Sequence, residues 1–142
     1  MNPLFALAAA TFAIGTQTYV FAGLLADLAR DFDVPLGAAG QVATAFAATF
    51  ALAAPVAAGL AARWERRAVL FVALLATAAC NLLAALAPGF AALIGLRIAA
   101  ALAAAFVTPI ASATAVLLAP PERRGKALAV VMAGLTVAFT LG

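Results

Sequence analysis

Long runs of uncharged, mostly apolar residues alternate with short charged segments along the whole chain. The uncharged runs cover residues 2–26, 34–62, 68–96, 98–121 and 127–142. A helix needs about 20 apolar residues to cross the hydrocarbon core of a bilayer, and each of the first four runs has that length. The pattern therefore predicts a protein whose helices span a membrane.

The stretch from residue 68 to residue 121 requires a reversal, because only Arg97 interrupts it. As one helix it would be about 80 Å long, far more than a hydrocarbon core of about 30 Å. Proline removes a helical donor and glycine permits a reversal, so Pro88 and Gly89 predict a turn. The expected helices cover residues 4–26, 41–62, 69–87 and 90–118, and a fifth covers 122–142.

Composition supports the membrane interpretation and excludes several kinds of active site. The chain has 142 residues, of which 68% are hydrophobic and 9% charged, whereas soluble proteins carry about 25% charged residues. It contains no histidine and one cysteine, Cys80, which excludes a disulfide scaffold, a zinc site and histidine-based hydrolytic triads. We therefore expect no enzymatic activity, no metal and no cofactor.

The positions of the charges predict an orientation in the membrane. A net charge of +3 does not indicate nucleic-acid binding, because the basic residues are divided among short clusters instead of forming one face. Cytoplasmic loops are enriched in Lys and Arg, so the second and fourth loops are expected inside, with a cytoplasmic N-terminus in an inner (plasma) membrane. Those two loops hold six of the eight basic residues: Arg63, Arg66, Arg67, Arg123, Arg124 and Lys126.

A secretory signal peptide is the alternative interpretation of the first run. No basic segment precedes this run and no clean cleavage site follows it, and signal peptides normally have both. A membrane-spanning first helix is therefore the favoured prediction.

Arg97 is the only charged residue predicted to lie inside the bilayer. An arginine at the centre of a membrane helix costs about 2.5–3.5 kcal/mol, and such residues usually face a cavity or a partner. It starts a helical stripe of small and polar residues that continues through Ala101, Ala104, Thr108 and Ser112. The stripe predicts a cavity wall; the alternative is that Arg97 extends to the outer interface.

The first helix contains a second concentration of polar residues, at Gln17, Thr18 and their neighbours. Close helix packing is the favoured interpretation of its threonines, whereas for Gln17 packing and ligand binding are equally plausible. Asn81 is expected to serve packing between helices. No aspartate or glutamate lies inside any span, so these helices offer no carboxylate for proton coupling, and the alanine-rich walls predict few aromatic contacts for a ligand.

In this order, the segments resemble the N-terminal part of a major facilitator superfamily transporter of the drug:proton antiporter group, nearest to its sugar- or arabinose-efflux-like branch. Residues 15–25 resemble the first-helix signature, residues 39–46 the start of the second helix, and residues 122–127 the fourth loop. The resemblance implies an all-α membrane protein with four complete helices and a partial fifth, from the N-terminal six-helix half of a twelve-helix fold. It also implies efflux of a small molecule by alternating access, with substrate bound near the midplane.

The resemblance also implies roles for individual residues. The substrate cavity would include Gln17, Thr18, Arg97, Thr108 and Ser112; the second loop, with Arg63, Arg66 and Arg67, would act in the conformational switch; and protons would be the coupling ion. The chain departs from the family pattern where Ala62 replaces an aspartate, Glu65 a glycine, Thr18 the glutamate of many relatives, and Ala100-Ala101 a Gln-Gly pair.

Two other functions agree with a small polytopic chain. One is a dimeric four-helix multidrug exporter, although such proteins need a glutamate in the first helix, and the other is a non-transporting membrane assembly subunit. Because the fifth run is short for a span, we expect residues 1–142 to be an incomplete N-terminal domain. Its partners would be the lipid bilayer, the substrate and the missing C-terminal half.

Overall fold

A computed structural model describes residues 3–61 and 64–141, and these residues are helices joined by short connections. Pro88 and Gly89 lie between the helices Arg66–Ala84 and Phe90–Ala104, at the reversal that the sequence predicts. The helices are α1 (Pro3–Gly23), α2 (Leu25–Asp31), α3 (Leu36–Ala61), α4 (Arg66–Ala84), α5 (Phe90–Ala104), α6 (Val107–Leu118) and α7 (Arg124–Leu141), and a 3₁₀ turn (Pro121–Arg123) precedes α7.

Four helical segments have the length and apolar composition needed to cross a membrane. They are Pro3–Phe21, Leu36–Ala61, Arg66–Ala84 and Phe90–Leu118, the last of which combines α5 and α6. Together with α7, these segments confirm the predicted all-α membrane fold.

The first predicted helix is divided where the chain leaves the apolar region. The long helix α1 ends at Gly23, and the short helix α2 contains the charged residues Asp27 and Arg30. Asp33 then adopts a left-handed conformation with φ of 50°, and the Val34 amide donates to the Ala29 carbonyl at 3.0 Å. This is a Schellman C-cap, so the first loop is a capped surface helix instead of an irregular segment.

Helix α3 begins earlier than the sequence predicts. Pro35, directly after the cap, lies just before the first turn, and its carbonyl accepts from the amides of Ala38 and Ala39 at 2.8 and 3.0 Å. A proline is favourable at a helix start because its φ is already helical and the missing amide has no intrahelical partner there. The helix then continues through Pro55 to Ala61.

The predicted helix over 90–118 is interrupted at Ala105 and Phe106, which separate α5 from α6. Pro109 follows at helical spacing and has no amide hydrogen to donate to the Ala105 carbonyl. Loss of this bond accounts for the break. Ala105 and Phe106 keep right-handed helical dihedral angles, so α5 and α6 together still form one membrane-crossing segment.

Helices α1 and α7 pack closely because small residues lie at their contact. A Cβ atom added at Gly134 would collide with the Ala8 carbonyl oxygen and lie 2.7 Å from Thr11 Oγ1. The buried Thr11 hydroxyl also donates to the Val131 carbonyl of α7 at 2.7 Å. The first and last helices of the chain are therefore joined by close backbone approach and an interhelical hydrogen bond.

We expect Thr11→Val to destabilise the protein by about 1 kcal/mol, because it removes the hydrogen bond to α7 while nearly conserving side-chain shape. Thr136→Val is the matched control, since the exposed Thr136 hydroxyl donates only to the Met132 carbonyl of its own helix. Equilibrium unfolding in mixed micelles, followed by circular dichroism, measures both changes. Equal losses for the two variants would contradict a role for the Thr11 bond.

Candidate functional site

Arg97 is completely buried between helices, with an exposed fraction of 0%. Its Nη1 donates to Asn81 Oδ1 of α4, and its Nη2 donates to the Gln17 backbone carbonyl of α1, each at 3.4 Å. The side chain therefore points into the bundle, which differs from the alternative prediction of a side chain extended to the interface.

Two aromatic rings cover the Arg97 guanidinium. Its Cζ atom lies 3.9 Å from the ring centroid of Phe21 and 4.3 Å from that of Phe46. An arginine over an aromatic face is attracted by the negative potential of the ring, and the attraction grows when water is excluded. Phe21 and Phe46 thus help to hold the charge inside an apolar bundle.

The Asn81 amide Nδ2 donates to Gln17 Oε1, so these two residues and Arg97 form a connected group, here called the polar cluster. Two of its buried nitrogen atoms, Gln17 Nε2 and Arg97 Nε, have no hydrogen-bond acceptor among the described residues. All five acidic residues of the chain are in segments 27–33, 65 and 122. Within residues 3–61 and 64–141 the Arg97 charge has no ion-pair partner.

A cavity of about 210 Å³ lies beside the polar cluster, between α1, α3, α6 and α7. Thr18 and Thr108, both predicted as site residues, lie on its wall. Because the Thr18 hydroxyl donates to the Ile14 carbonyl of its own helix at 3.0 Å, its oxygen lone pairs remain available as acceptors. Together with Tyr19, the two threonines supply hydroxyl groups to a largely apolar wall.

Aromatic rings form much of that wall, contrary to the expectation of few aromatic contacts. The rings belong to Tyr19, Phe46, Phe50 and Phe139, and those of Tyr19 and Phe139 meet edge to face with centroids 4.7 Å apart. They are widely spaced in sequence, on three helices, and only the fold gathers them. Phe46 is shared, since it lines the cavity and also covers Arg97.

The predicted stripe along α5 and α6 does not form one continuous wall. Ala101 and Ala104 are fully buried in the core with Arg97, whereas Thr108 lines the cavity. Ser112 is half-buried on α6 and is not among the residues that line this cavity. The members of the stripe therefore face different surroundings, because the neighbouring helices change along its length, and periodicity alone could not assign all of them to one site.

Comparison with known proteins identifies the family. The family model described as Major Facilitator Superfamily matches residues 7–142. The chain belongs to the Major Facilitator Superfamily. This membership confirms the resemblance seen in the sequence and favours transport over the assembly-subunit alternative.

Several curated proteins are similar to nearly the whole chain. The chloramphenicol resistance protein of Streptomyces lividans is 41% identical over 140 residues, which are 99% of this chain and 36% of that protein. The uncharacterized MFS-type transporter YbcL of Bacillus subtilis is 34% identical over 98% of this chain and 36% of its own. The inner membrane transport protein YdhP of Escherichia coli K12 is 33% identical over 96% of this chain and 35% of its own length.

The chain thus spans little more than a third of the length of these curated proteins. No solved structure matches it.

The second loop, predicted as the conformational switch of this superfamily member, is described only in part. Arg63 lies outside the described residues. Arg66 starts α4 and is half-buried beside a cavity of about 170 Å³, where its Nη1 has no partner among the described residues. Arg67 is exposed.

Sequence reasoning did not assign Asn81, Phe21 or Phe46 to the site, although all three contact Arg97 or its partners. Asn81 was detectable in principle, because it is the one carboxamide in an otherwise apolar helix. The two phenylalanines carried no signal, since phenylalanine is ordinary in a membrane helix. Their role depends on which faces α1 and α3 turn toward α5.

Proposed function

We propose that this chain is part of a secondary transporter that exports a small molecule by alternating access, coupled to protons. The observation that carries the proposal is the match of nearly the whole chain to a chloramphenicol resistance protein at 41% identity. The fully buried arginine beside a cavity supports it, because ionisable groups inside a membrane are costly and commonly belong to a transport path. The specific form of this proposed function is efflux of a drug-like substrate such as chloramphenicol.

Within this proposal the predicted residues have different roles in substrate binding. Arg97 is the electrostatic element, held by the side-chain oxygen of Asn81 and the backbone carbonyl of Gln17. Thr18 and Thr108 offer hydroxyl groups to a substrate in the aromatic cavity. Ser112, further along α6, belongs to the continuation of the same path.

We further propose an orientation and a switch. The N-terminus is cytoplasmic in the inner (plasma) membrane, because the basic residues concentrate in the second and fourth loops. Arg63, Arg66 and Arg67 take part in the conformational switch, and the half-buried position of Arg66 at the α3–α4 connection is consistent with this role.

Proton coupling in this proposal requires groups beyond this segment. No carboxylate lies within its apolar runs, and glutamine, threonine and asparagine do not take up a proton near neutral pH. The coupling carboxylate and the opposing half of the substrate path therefore belong to the part of the transporter that residues 1–142 do not represent.

A chimera tests the proposal. In the chimera, residues 1–142 of this chain replace the matching segment of the Streptomyces lividans protein. Chloramphenicol accumulation is then measured in a susceptible host. We expect the chimera to lower accumulation and the 142-residue chain alone to leave it unchanged, because alternating access requires two halves around one site.

An inactive chimera that is correctly inserted would contradict the proposed export function. Efflux by residues 1–142 alone would contradict the requirement for a second half. Immunodetection of each protein in the membrane fraction separates these results from poor expression.

A further inference from the structure

In the part of the chain that the structure describes, the Arg97 charge is buried without a counter-ion. Its exposed fraction is 0%, and no acidic side chain of residues 3–61 and 64–141 is within ion-pairing distance. Isolated buried charges are strongly unfavourable, and proteins normally pair them. The two phenyl rings at 3.9 and 4.3 Å compensate the charge only in part, since a ring provides a quadrupole and no net negative charge.

The polar cluster also has more hydrogen-bond donors than acceptors. Gln17 Oε1 and Asn81 Oδ1 are already used within the cluster. Gln17 Nε2 and Arg97 Nε are buried and lack acceptors in the described part of the chain. The two unsatisfied N–H donors and the positive charge together suit an acceptor that carries negative charge.

We propose that the polar cluster of Gln17, Asn81 and Arg97 is a binding site for a small monovalent anion. Such an anion accepts from the free N–H groups and neutralises the guanidinium, and charge-assisted hydrogen bonds of this kind are roughly twice as strong as neutral ones. The anion is either a free inorganic ion such as chloride or the carboxylate of an organic substrate.

Phe46 separates this site from the neighbouring cavity. Phe46 contacts the Arg97 guanidinium and also lines the cavity whose wall includes Thr18 and Thr108. An anion that enters from the cavity would have to displace the Phe46 ring. Phe46 is thus assigned in this proposal as a positioning residue that limits access of the anion.

The inference rests on the proposed function only in placing the polar cluster beside the transport path. Anion binding is measured without transport, so the two proposals fail separately. Efflux of a neutral substrate by the chimera, without anion binding by the chain, would overturn the inference alone. Anion binding together with an inactive chimera would overturn the export proposal alone.

The experiment uses the complete 142-residue chain in lipid nanodiscs. Binding of chloride is measured from the ³⁵Cl NMR line width, at constant ionic strength maintained with sodium sulfate. Propionate, a small organic carboxylate, is then added as a competitor. We expect saturable broadening by chloride in the unmodified protein.

Two variants test the site in different ways. Arg97→Gln is expected to lower the chloride affinity at least about tenfold, because it removes the charge and the guanidinium donors. Gln17→Glu is expected to have a similar effect while Arg97 is retained, because the new carboxylate takes the place of the anion. This second variant keeps the test decisive if Arg97→Gln does not fold.

Arg123→Gln is the control for net charge, because Arg123 is exposed outside the membrane helices. Unchanged binding in this control is expected. Phe46→Ala is expected to accelerate chloride exchange severalfold, since it removes the ring that separates the cluster from the cavity.

Displacement of chloride by propionate would assign the site to a substrate carboxylate, and failure of displacement would assign it to a free inorganic anion; both results support an anion site. Absence of saturable binding would overturn it. Equal broadening in the unmodified protein, Arg97→Gln and Gln17→Glu would also overturn it.

Discussion

Arg97→Ala is expected to reduce chloramphenicol efflux by the chimera about ten- to a hundredfold. Hydrogen bonds to a charged group are worth up to about 3 kcal/mol, and each 1.4 kcal/mol corresponds to a factor of ten. Initial rates of efflux from preloaded cells measure the change. Arg97→Lys is expected to retain part of the activity, because lysine keeps the charge but not the planar set of donors.

Protein stability is expected to respond differently to the same substitution. An unpaired buried charge is itself unfavourable, so removing it offsets the packing that Arg97→Ala loses. The Arg97→Ala chimera should therefore reach the membrane in normal amounts. Arg123→Ala serves as the exposed control and should leave efflux unchanged. Normal efflux by Arg97→Ala would show that the charge has no part in transport.

Gly134→Ala is expected to destabilise the 142-residue chain by about 2 kcal/mol. The new methyl group would collide with the Ala8 carbonyl oxygen and lie 2.9 Å from its carbonyl carbon. Backbone atoms cannot move aside as a flexible side chain does, so α1 and α7 must separate, and overpacking of this kind typically costs about 1–3 kcal/mol. Equilibrium unfolding in mixed micelles measures the loss.

Gly95→Ala is the matched control, because a Cβ atom at this position of α5 meets nothing within 4 Å. Alanine is favoured over glycine inside a helix by up to about 1 kcal/mol, so this variant should be neutral or stabilised. Combining Thr11→Val with Gly134→Ala should cost less than the sum of the two single changes, since helices that have separated no longer form the Thr11 bond. Additive losses would indicate that the two contacts are independent.

The membrane fold was predictable from sequence because hydrophobic length is a direct physical requirement of a bilayer. The helix ends were less predictable. The cap at Asp33 and the helix start at Pro35 depend on backbone conformation over a few residues, whereas apolar runs report only which segments avoid water. The interruption at Ala105 and Phe106, one turn before Pro109, also required the structure.

For the candidate site, sequence singled out Arg97 because a lone charge in an apolar helix is conspicuous. It also selected Gln17, Thr18 and Thr108, but it could not divide them between a polar cluster and a cavity. That division depends on the rotation of each helix about its axis, and therefore on packing partners that are distant in sequence. Phe46 illustrates the limit, since its position between Arg97 and the cavity follows from three helices together.

The order of Arg97 and its contacts along the chain has a consequence for biogenesis. All four contacting or bridging residues, Gln17, Phe21, Phe46 and Asn81, precede Arg97. Synthesis proceeds from the N-terminus, so every group that shelters the guanidinium has been translated before the arginine leaves the ribosome. The helix with the most costly residue can therefore enter the bilayer against earlier helices, and its charge need not face lipid at any stage of assembly.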